Sequence, residues 1–262
     1  MNNFIIAVEV KDKREEYLIK ALQNDEYINV IIGQEKHFTN NTKVYLFAMA
    51  TTLTYDTINN LEDNSIFFSR GLSNDLLELT KSKRLKHFEY MDDEAFVVKN
   101  AFLTAEGALS YIIQNTDASI RHMPVLILGY GRVGKSLTKI LRDNDANVSV
   151  ATDDEIEYAM ASTFANNACS LNEISINIDK YQAIINTVPK IILKGDILKL
   201  INKSCFILDL ASKPGGVDFS EAESLELNCI HALGVPGKLT PKSAGEFLEK
   251  SIVERLKKIE DD

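Results

Sequence analysis

Short apolar runs alternate with amphipathic segments along almost the whole chain. Residues 4–10, 28–32, 44–48 and 66–68 are near-continuous apolar stretches, the pattern of strands buried on both faces of a parallel sheet. After the first of them, Asp12 precedes a segment in which Tyr17, Leu18, Ala21 and Leu22 share one helical face. Residues 72–79, opened by Ser73 and Asn74, predict another helix. Between Phe102 and Thr116 the chain has few breakers, which predicts a long helix linking two lobes and ending at Asn115-Thr116-Asp117. A second series follows, with strands expected at 124–128, 147–151, 183–186, 206–210 and 229–232 and helices at 133–141, 197–201 and 221–225. Residues 241–259 place Ala244, Phe247, Leu248, Ile252, Val253 and Leu256 on one stripe, which must be buried and is expected to pack back on the first lobe. The expected organisation is a small α/β domain at 1–100, a linking helix at 101–120, a doubly wound domain at 121–240 and a returning helix at 241–262.

Composition narrows the partners. With 262 residues, 45% of them hydrophobic, the chain has material for two cores. A net charge of −9 opposes a nucleic-acid backbone or an anionic membrane as main partner, yet a small acid can still bind where positive groups gather. Cys169, Cys205 and Cys229 lie far apart without metal-ligand spacing, which suggests reduced thiols in a cytoplasmic protein. The first apolar run stops at Glu9, too short for a signal peptide, and no run approaches the roughly 18 apolar residues of a membrane span. The end Glu260-Asp261-Asp262 reads as a frayed tail.

The strand expected at 124–128 ends in Gly129-Tyr130-Gly131-Arg132-Val133-Gly134, a G-x-G-x-x-G turn. At such a turn the first glycine permits the bend, the second admits a pyrophosphate, and the third lets helix and strand pack, with the helix amino end facing the negative charge. Asp153 follows 19 residues past Gly134, at the end of the next strand, where a carboxylate accepts hydrogen bonds from ribose hydroxyls and repels a 2′-phosphate. The other reading of Asp153 or Asp154 is a cap for the following helix. Thr187-Val188-Pro189, after Asn186, and Asp209-Leu210-Ala211-Ser212-Lys213-Pro214-Gly215-Gly216 close the next two strands at the same edge, the first placed for the nicotinamide ribose and the second for the nicotinamide.

The segments Leu103 to Gly107, Asn115 to Asp117, Leu128 to Gly134, Asn186 to Pro189, Leu208 to Gly216, Gly234 to Lys238 and Pro241 to Gly245 resemble the dipicolinate synthase A subunits, relatives of the D-2-hydroxyacid dehydrogenases. The resemblance implies an α/β fold of two lobes, a Rossmann-type doubly wound parallel sheet and a smaller flavodoxin-like domain, joined by a long helix. It implies a cytoplasmic oxidoreductase of endospore-forming cells, turning a dihydrodipicolinate-type intermediate into dipicolinate in an interlobe cleft. A nicotinamide cofactor, homo-oligomerisation and a flavoprotein-like B subunit go with it. Asp153 stands where the family commonly carries an Arg suited to a 2′-phosphate, so NAD is expected here, with NADP as the alternative. Two further departures are Val10-Lys11-Asp12 in place of a Gly-Gly-Asp turn, and Phe47 to Thr52 in place of a Pro-Val-Ser-type segment.

Removing hydride and proton while two carboxylates are held asks for cations and positioned donors. Lys213, after Ser212 on the loop beside the nicotinamide, is the first candidate anchor, and His231 at a strand end is the candidate acid or base. Thr51, Thr52, Thr104, Glu106, Lys238 and Lys242 are candidate substrate contacts, with Thr104 and Glu106 placed where the linking helix begins. Gly129 to Gly134, Asp153, Thr187 to Pro189, Asp209, Leu210, Ala211 and Gly234 form the expected cofactor site. His37, His87 and His122 read as surface or loop residues, and no metal site is expected. Two other readings stay open: a catalytically silent NAD-binding protein with a regulatory or scaffold role, and a D-2-hydroxyacid dehydrogenase relative acting on another small dicarboxylate.

Overall fold

The structure, a computed structural model, describes residues 4–32 and 44–261, so His37 lies outside the described residues. The strands in chain order are β1 (Phe4–Val8), β2 (Ile28–Ile32), β3 (Val44–Leu46), β4 (Ile66–Ser69), β5 (Lys86–Glu89), β6 (Pro124–Leu128), β7 (Asn147–Ala151), β8 (Asn167–Cys169), β9 (Ala183–Asn186), β10 (Phe206–Asp209) and β11 (Asn228–His231). The helices are α1 (Lys13–Leu22), α2 (Tyr55–Asn59), α3 (Asn74–Ser82), α4 (Glu94–Asn115), α5 (Arg132–Asp143), α6 (Glu155–Phe164), α7 (Asp196–Leu200), α8 (Phe219–Ser224), α9 (Val235–Leu239) and α10 (Pro241–Asp261). They form two compact units, one of residues up to Asn100 together with Pro236 onward, the other spanning Ala101–Val235.

The first unit is a parallel sheet in the order β2-β1-β3-β4-β5, with Ile6 opposite Val44 and Val44 opposite Ile66. On one face, α1 and α10 pack together: Leu18 and Leu22 meet Leu248, Ile252 and Leu256 above Ile6 and Val8, all of them buried. Burying each such side chain contributes about 1.5–3 kcal/mol, an upper figure because the unfolded chain is not fully extended. Gly245 makes this approach possible, since a Cβ there would lie 2.7 Å from the Arg14 carbonyl oxygen and 2.8 Å from the Leu18 amide.

The face of α1 that is buried differs from the expected one. Arg14, Glu15, Leu18, Ile19 and Leu22 are buried, while Tyr17 and Ala21 are only half-buried. The apolar pattern missed this because two charged residues share the core stripe. His87 also differs from the expected surface position: it sits on β5, half-buried, stacked on Phe67 at 4.5 Å, with a nitrogen 2.8 Å from Ser69 Oγ. Burial pulls its pKa from 6.5 to about 4, against a smaller upward pull from Asp92.

The second unit is a parallel sheet in the order β8-β7-β6-β9-β10-β11, the doubly wound arrangement of dinucleotide-binding folds. Val125, Ile127, Ile185 and Leu208 form the core on one side, with Ala105, Ala108 and Ile112 of α4 among them. Leu126, Leu128, Ile184 and Ile207 face the other side. By length and composition α4 could cross a membrane; about half of it is buried, with Ala105, Ala108 and Ile112 in this core. It begins at Glu94, far ahead of the expected start, because Asp93 Oδ1 accepts the amides of Ala95 at 3.0 Å and Phe96 at 3.2 Å. Thr104 and Glu106 therefore lie inside the helix, not at its opening. Burial pushes the thiols of Cys205 and Cys229 up to about 12, so both are inert apolar packing groups.

Candidate functional site

The glycine turn between β6 and α5 is held by close backbone approach. Gly129 has φ +89°, and a Cβ on it would lie 2.6 Å from Thr187 Oγ1 and 2.7 Å from Val188 Cγ2. At Gly134 a Cβ would collide with the Gly129 carbonyl, so strand and helix could not pack. Thr187 ties the neighbouring loop to this turn through its amide at 2.9 Å and its hydroxyl at 2.8 Å, both donating to the Leu128 carbonyl. Gly131 is the N-cap of α5 and supplies no side-chain cap, whereas Asp side chains cap α1, α6 and α8. A helix amino end without such a cap suits an external anion.

At the carboxyl end of β7 the two candidate roles fall to different residues. Asp154 Oδ1 caps α6 by accepting the Glu157 amide at 2.8 Å. Asp153 is exposed, and its Oδ1 accepts the Ser170 hydroxyl at 2.7 Å and the Leu171 amide at 2.9 Å. Both donors hold the aspartate in place at the strand end. A second carboxylate, which sequence reasoning missed, lies one turn further on. Glu157 Oε2 accepts the Tyr130 amide at 3.1 Å and the Thr152 hydroxyl at 3.0 Å, which brings its charge against the glycine turn. An acid four residues past Asp153 on a helix is the signal that could have found it.

The ends of β9 and β10 are organised by two fully buried polar side chains, Asn186 and Asp209. Asp209 Oδ1 accepts Asn186 Nδ2 at 2.8 Å and the Ala211 amide at 3.1 Å, and its Oδ2 accepts the Gly216 amide at 2.7 Å. Asn186 also donates to the Val188 carbonyl at 2.9 Å and accepts the Val188 amide at 3.2 Å. Asp209 was expected among the cofactor contacts, but its enclosed carboxylate serves to anchor the 211–216 loop. Gly215 and Gly216 permit this, because a Cβ on either would run into Asp209 or Asn186. His231 Nε2 donates to the Ala211 carbonyl at 2.9 Å and its ring stacks on Phe219 at 5.2 Å, so it too braces the loop.

The carboxyl edge of the second sheet thus brings together Gly129 to Gly134, Asp153, Thr187 to Pro189, Asp209 to Lys213, His231 and Gly234. Ser212, Lys213, Pro189 and Gly234 are exposed there, and Ala211 and the Tyr130 ring are buried. Leu210 is half-buried, its amide donating to the Asn186 carbonyl at 2.9 Å. Thr51, Thr52, Lys238 and Lys242 belong to the first unit. Thr51 donates to Glu9, Thr52 and Lys238 are exposed, and Lys242 pairs with Glu246 at 3.9 Å. Among the described residues no three His, Cys, Asp or Glu side chains converge as a metal site would require.

No protein-family profile matches the chain. It is 32% identical over 212 residues to the A subunit of dipicolinate synthase from Bacillus subtilis (strain 168), a match covering 79% of this chain and 70% of that protein. The crystal structure of the dipicolinate synthase A subunit from Bacillus halodurans superposes with a TM-score of 0.86 at 24% identity, over 97% of this chain and 98% of that one. A NAD-dependent formate dehydrogenase from Staphylococcus aureus, solved in complex with NAD, shares the fold with a TM-score of 0.65 at 12% identity, over 98% of this chain and 95% of that one. A doubly wound unit with a glycine turn, loops pinned at successive strand ends, and this degree of identity to a curated relative lead to one assignment: the chain belongs to the family of dipicolinate synthase A subunits.

Proposed function

We propose that this chain is the dehydrogenase subunit of a dipicolinate synthase, oxidising a dihydrodipicolinate-type intermediate to dipicolinate with NAD. The observation that carries the reading is the glycine turn leading into α5 without a side-chain cap, with Asp153 at the end of the next strand. The residues fit a dinucleotide: Gly129 and Gly134 shape the turn, the amino end of α5 offers donors to a pyrophosphate, and Asp153 offers an acceptor to ribose hydroxyls. When bound, the nicotinamide supplies the hydride acceptor.

The chain's own residues position and exclude. Thr187 and Val188 hold the second strand-end loop beside the turn, and Asp209, Asn186 and His231 hold the third in one conformation. Lys213, exposed on that loop, is the cation offered to a substrate carboxylate. Thr104, Glu106, Lys238, Lys242, Thr51 and Thr52 remain candidate substrate contacts. The subunit naming of its relatives supports a B partner, flavoprotein-like by the family resemblance. The same resemblance supports a homo-oligomer in the cytoplasm of a sporulating cell.

The test is a titration of the chain with NAD and NADP, followed by turnover of a dihydrodipicolinate with and without a B subunit. NAD is expected to bind more tightly, and product is expected to accumulate. Asp153→Arg should weaken NAD and strengthen NADP, moving the ratio about tenfold or more, which is 1.4 kcal/mol or more. Unchanged affinities for both would remove the ribose assignment. Nucleotide binding without product under any pairing would favour a regulatory role.

A further inference from the structure

The first unit has its own topological switch point at the carboxyl ends of its strands. Its order β2-β1-β3-β4-β5 reverses between β1 and β3, and open α/β sheets bind ligands outside the carboxyl ends of the strands at such a reversal. Glu9, Lys11 and Asp12 leave β1 at this point, Ala48 to Thr51 leave β3, and α1 begins there.

Most of the charged groups here have partners. Glu9, 5% exposed, accepts the Ala48 amide at 3.0 Å and the Thr51 hydroxyl, and pairs with Lys11 Nζ at 3.1 Å. Asp12 Oδ1 accepts the Arg14 amide at 2.7 Å, and Glu15 Oε2 accepts the amides of Asp12 at 2.9 Å and Lys11 at 3.3 Å. Two groups are left over on the first turn of α1. Glu15 Oε1 has no donor, and Arg14, 4% exposed, has no acceptor for its Nε. The carboxylate oxygen paired with its guanidinium, Asp12 Oδ2, stands 4.0 Å from Nη2, beyond hydrogen-bonding distance. Among the described residues, the Arg14 fork therefore has no hydrogen-bond acceptor.

A buried charge without hydrogen bonds costs stability, and sequences keep such groups where another requirement holds them. Gly237 adds to the picture. A Cβ there would lie 2.5 Å from Arg14 Nη2 and 2.7 Å from Asp12 Oδ2, so a residue with no side chain lies directly against the fork. A guanidinium fork matches a carboxylate with two parallel N–H bonds, a geometry that an ammonium group does not reproduce. Asp12 and Glu15 lie beside it and would repel a loosely held anion, so a carboxylate could be kept only by direct bonds to the fork. Burial raises the pKa of Glu15, with Asp12 adding to the rise and the capping amides and Arg14 opposing it.

We propose that Arg14 anchors one carboxylate of a small organic acid at the β1/β3 switch point, entered from the side of Lys11 and Asp12, whose side chains are 44% and 35% exposed. The naming of that acid as a pyridine-type dicarboxylate rests on the function proposed above; the anchor itself does not.

The experiment titrates pyridine-2,6-dicarboxylate, and separately acetate, malate and succinate, into the full chain by calorimetry, for wild type, Arg14→Lys and Arg14→Gln. NAD titration and circular dichroism serve as fold controls. Wild type should bind the dicarboxylate, Arg14→Lys should weaken it at least about tenfold, and Arg14→Gln should abolish it, with NAD affinity retained. Hydrogen exchange in the wild type gives a readout that does not depend on variant folding: amides of residues 12–18 should slow when the acid is added. Equal binding by wild type and Arg14→Lys, or no slowing at 12–18, overturns the anchor and leaves Arg14 a packing residue under Gly237. Loss of a different acid's binding in Arg14→Lys supports the anchor while overturning the pyridine-type dicarboxylate as its ligand. Failure of the wild type to bind any of the acids overturns both.

Discussion

Replacing Asp209 should loosen the loop that the proposed chemistry depends on, and the structure sets the size of the effect. The carboxylate is fully buried and accepts three donors: Asn186 Nδ2 at 2.8 Å, the Ala211 amide at 3.1 Å and the Gly216 amide at 2.7 Å. Asp209→Ala leaves all three unpaired, at about 1–3 kcal/mol each, or roughly 3–9 kcal/mol together. Removing a buried charge also relieves a desolvation penalty of several kcal/mol, so about 3–5 kcal/mol of destabilisation is expected to remain. Asp209→Asn can keep its oxygen toward Asn186 and Ala211, turning an N–H toward Gly216, and one orphaned donor with weaker partners costs about 2 kcal/mol. At roughly 2–4 °C per kcal/mol, the Ala variant should melt about 10 °C lower. Two compact units need not unfold together, so the transition should be assigned by hydrogen exchange at Ile184 and Ile207, which flank the network. NAD affinity should fall alongside. An Asp209→Ala protein within about 0.5 kcal/mol of wild type would refute the claim that this carboxylate holds the loop.

Two further outcomes can be checked on the same protein. Gly129→Ala, with φ +89° and a Cβ 2.6 Å from Thr187 Oγ1, should destabilise the second unit by about 2 kcal/mol and weaken NAD at least tenfold, and unaltered binding by calorimetry would count against the turn geometry. His87, with its pKa pulled to about 4, stays neutral in the folded chain while the unfolded chain takes up a proton below about 6.5. Stability is therefore complete above that pH and is lost as pH falls toward 4. The full shift corresponds to about 3 kcal/mol, and the part-exposed ring reduces this to about 1–2 kcal/mol. His87→Gln, which keeps a partner for Ser69, should flatten the melting temperature across this window; an unchanged pH profile would show that the acid sensitivity lies elsewhere.

The central strands were legible because a strand buried on both faces must be apolar at every position, as in Leu126 to Leu128 and Phe206 to Leu208. The edge strands β5 and β8 were not. Lys86-His87-Phe88-Glu89 and Asn167-Ala168-Cys169 each have one free side and carry polar residues that break the run. The short helix α2 was missed too, since five residues give too little period to read. At the candidate site, Gly129 to Gly134 and Asp153 were found by spacing, because a turn and the strand after it keep a nearly constant chain length. Glu157 and Asn186 were not singled out: what marks them is the donor each meets in space.

By itself the sequence determined the α/β class, the glycine turn, the strand ends that face it and the acid expected at the ribose, since these follow from local period, backbone sterics and chain length. Tertiary structure decided which acid caps α6 and which is held at the strand end by Ser170 and Leu171, that Asp209 anchors a loop from inside, and that the core stripe of α1 includes Arg14 and Glu15. The reason is physical: the environment of a polar side chain is set by groups distant in sequence. Gly237 and Gly245, brought over α1 by the C-terminal segment, enclose its first turn and leave an arginine buried without an acceptor.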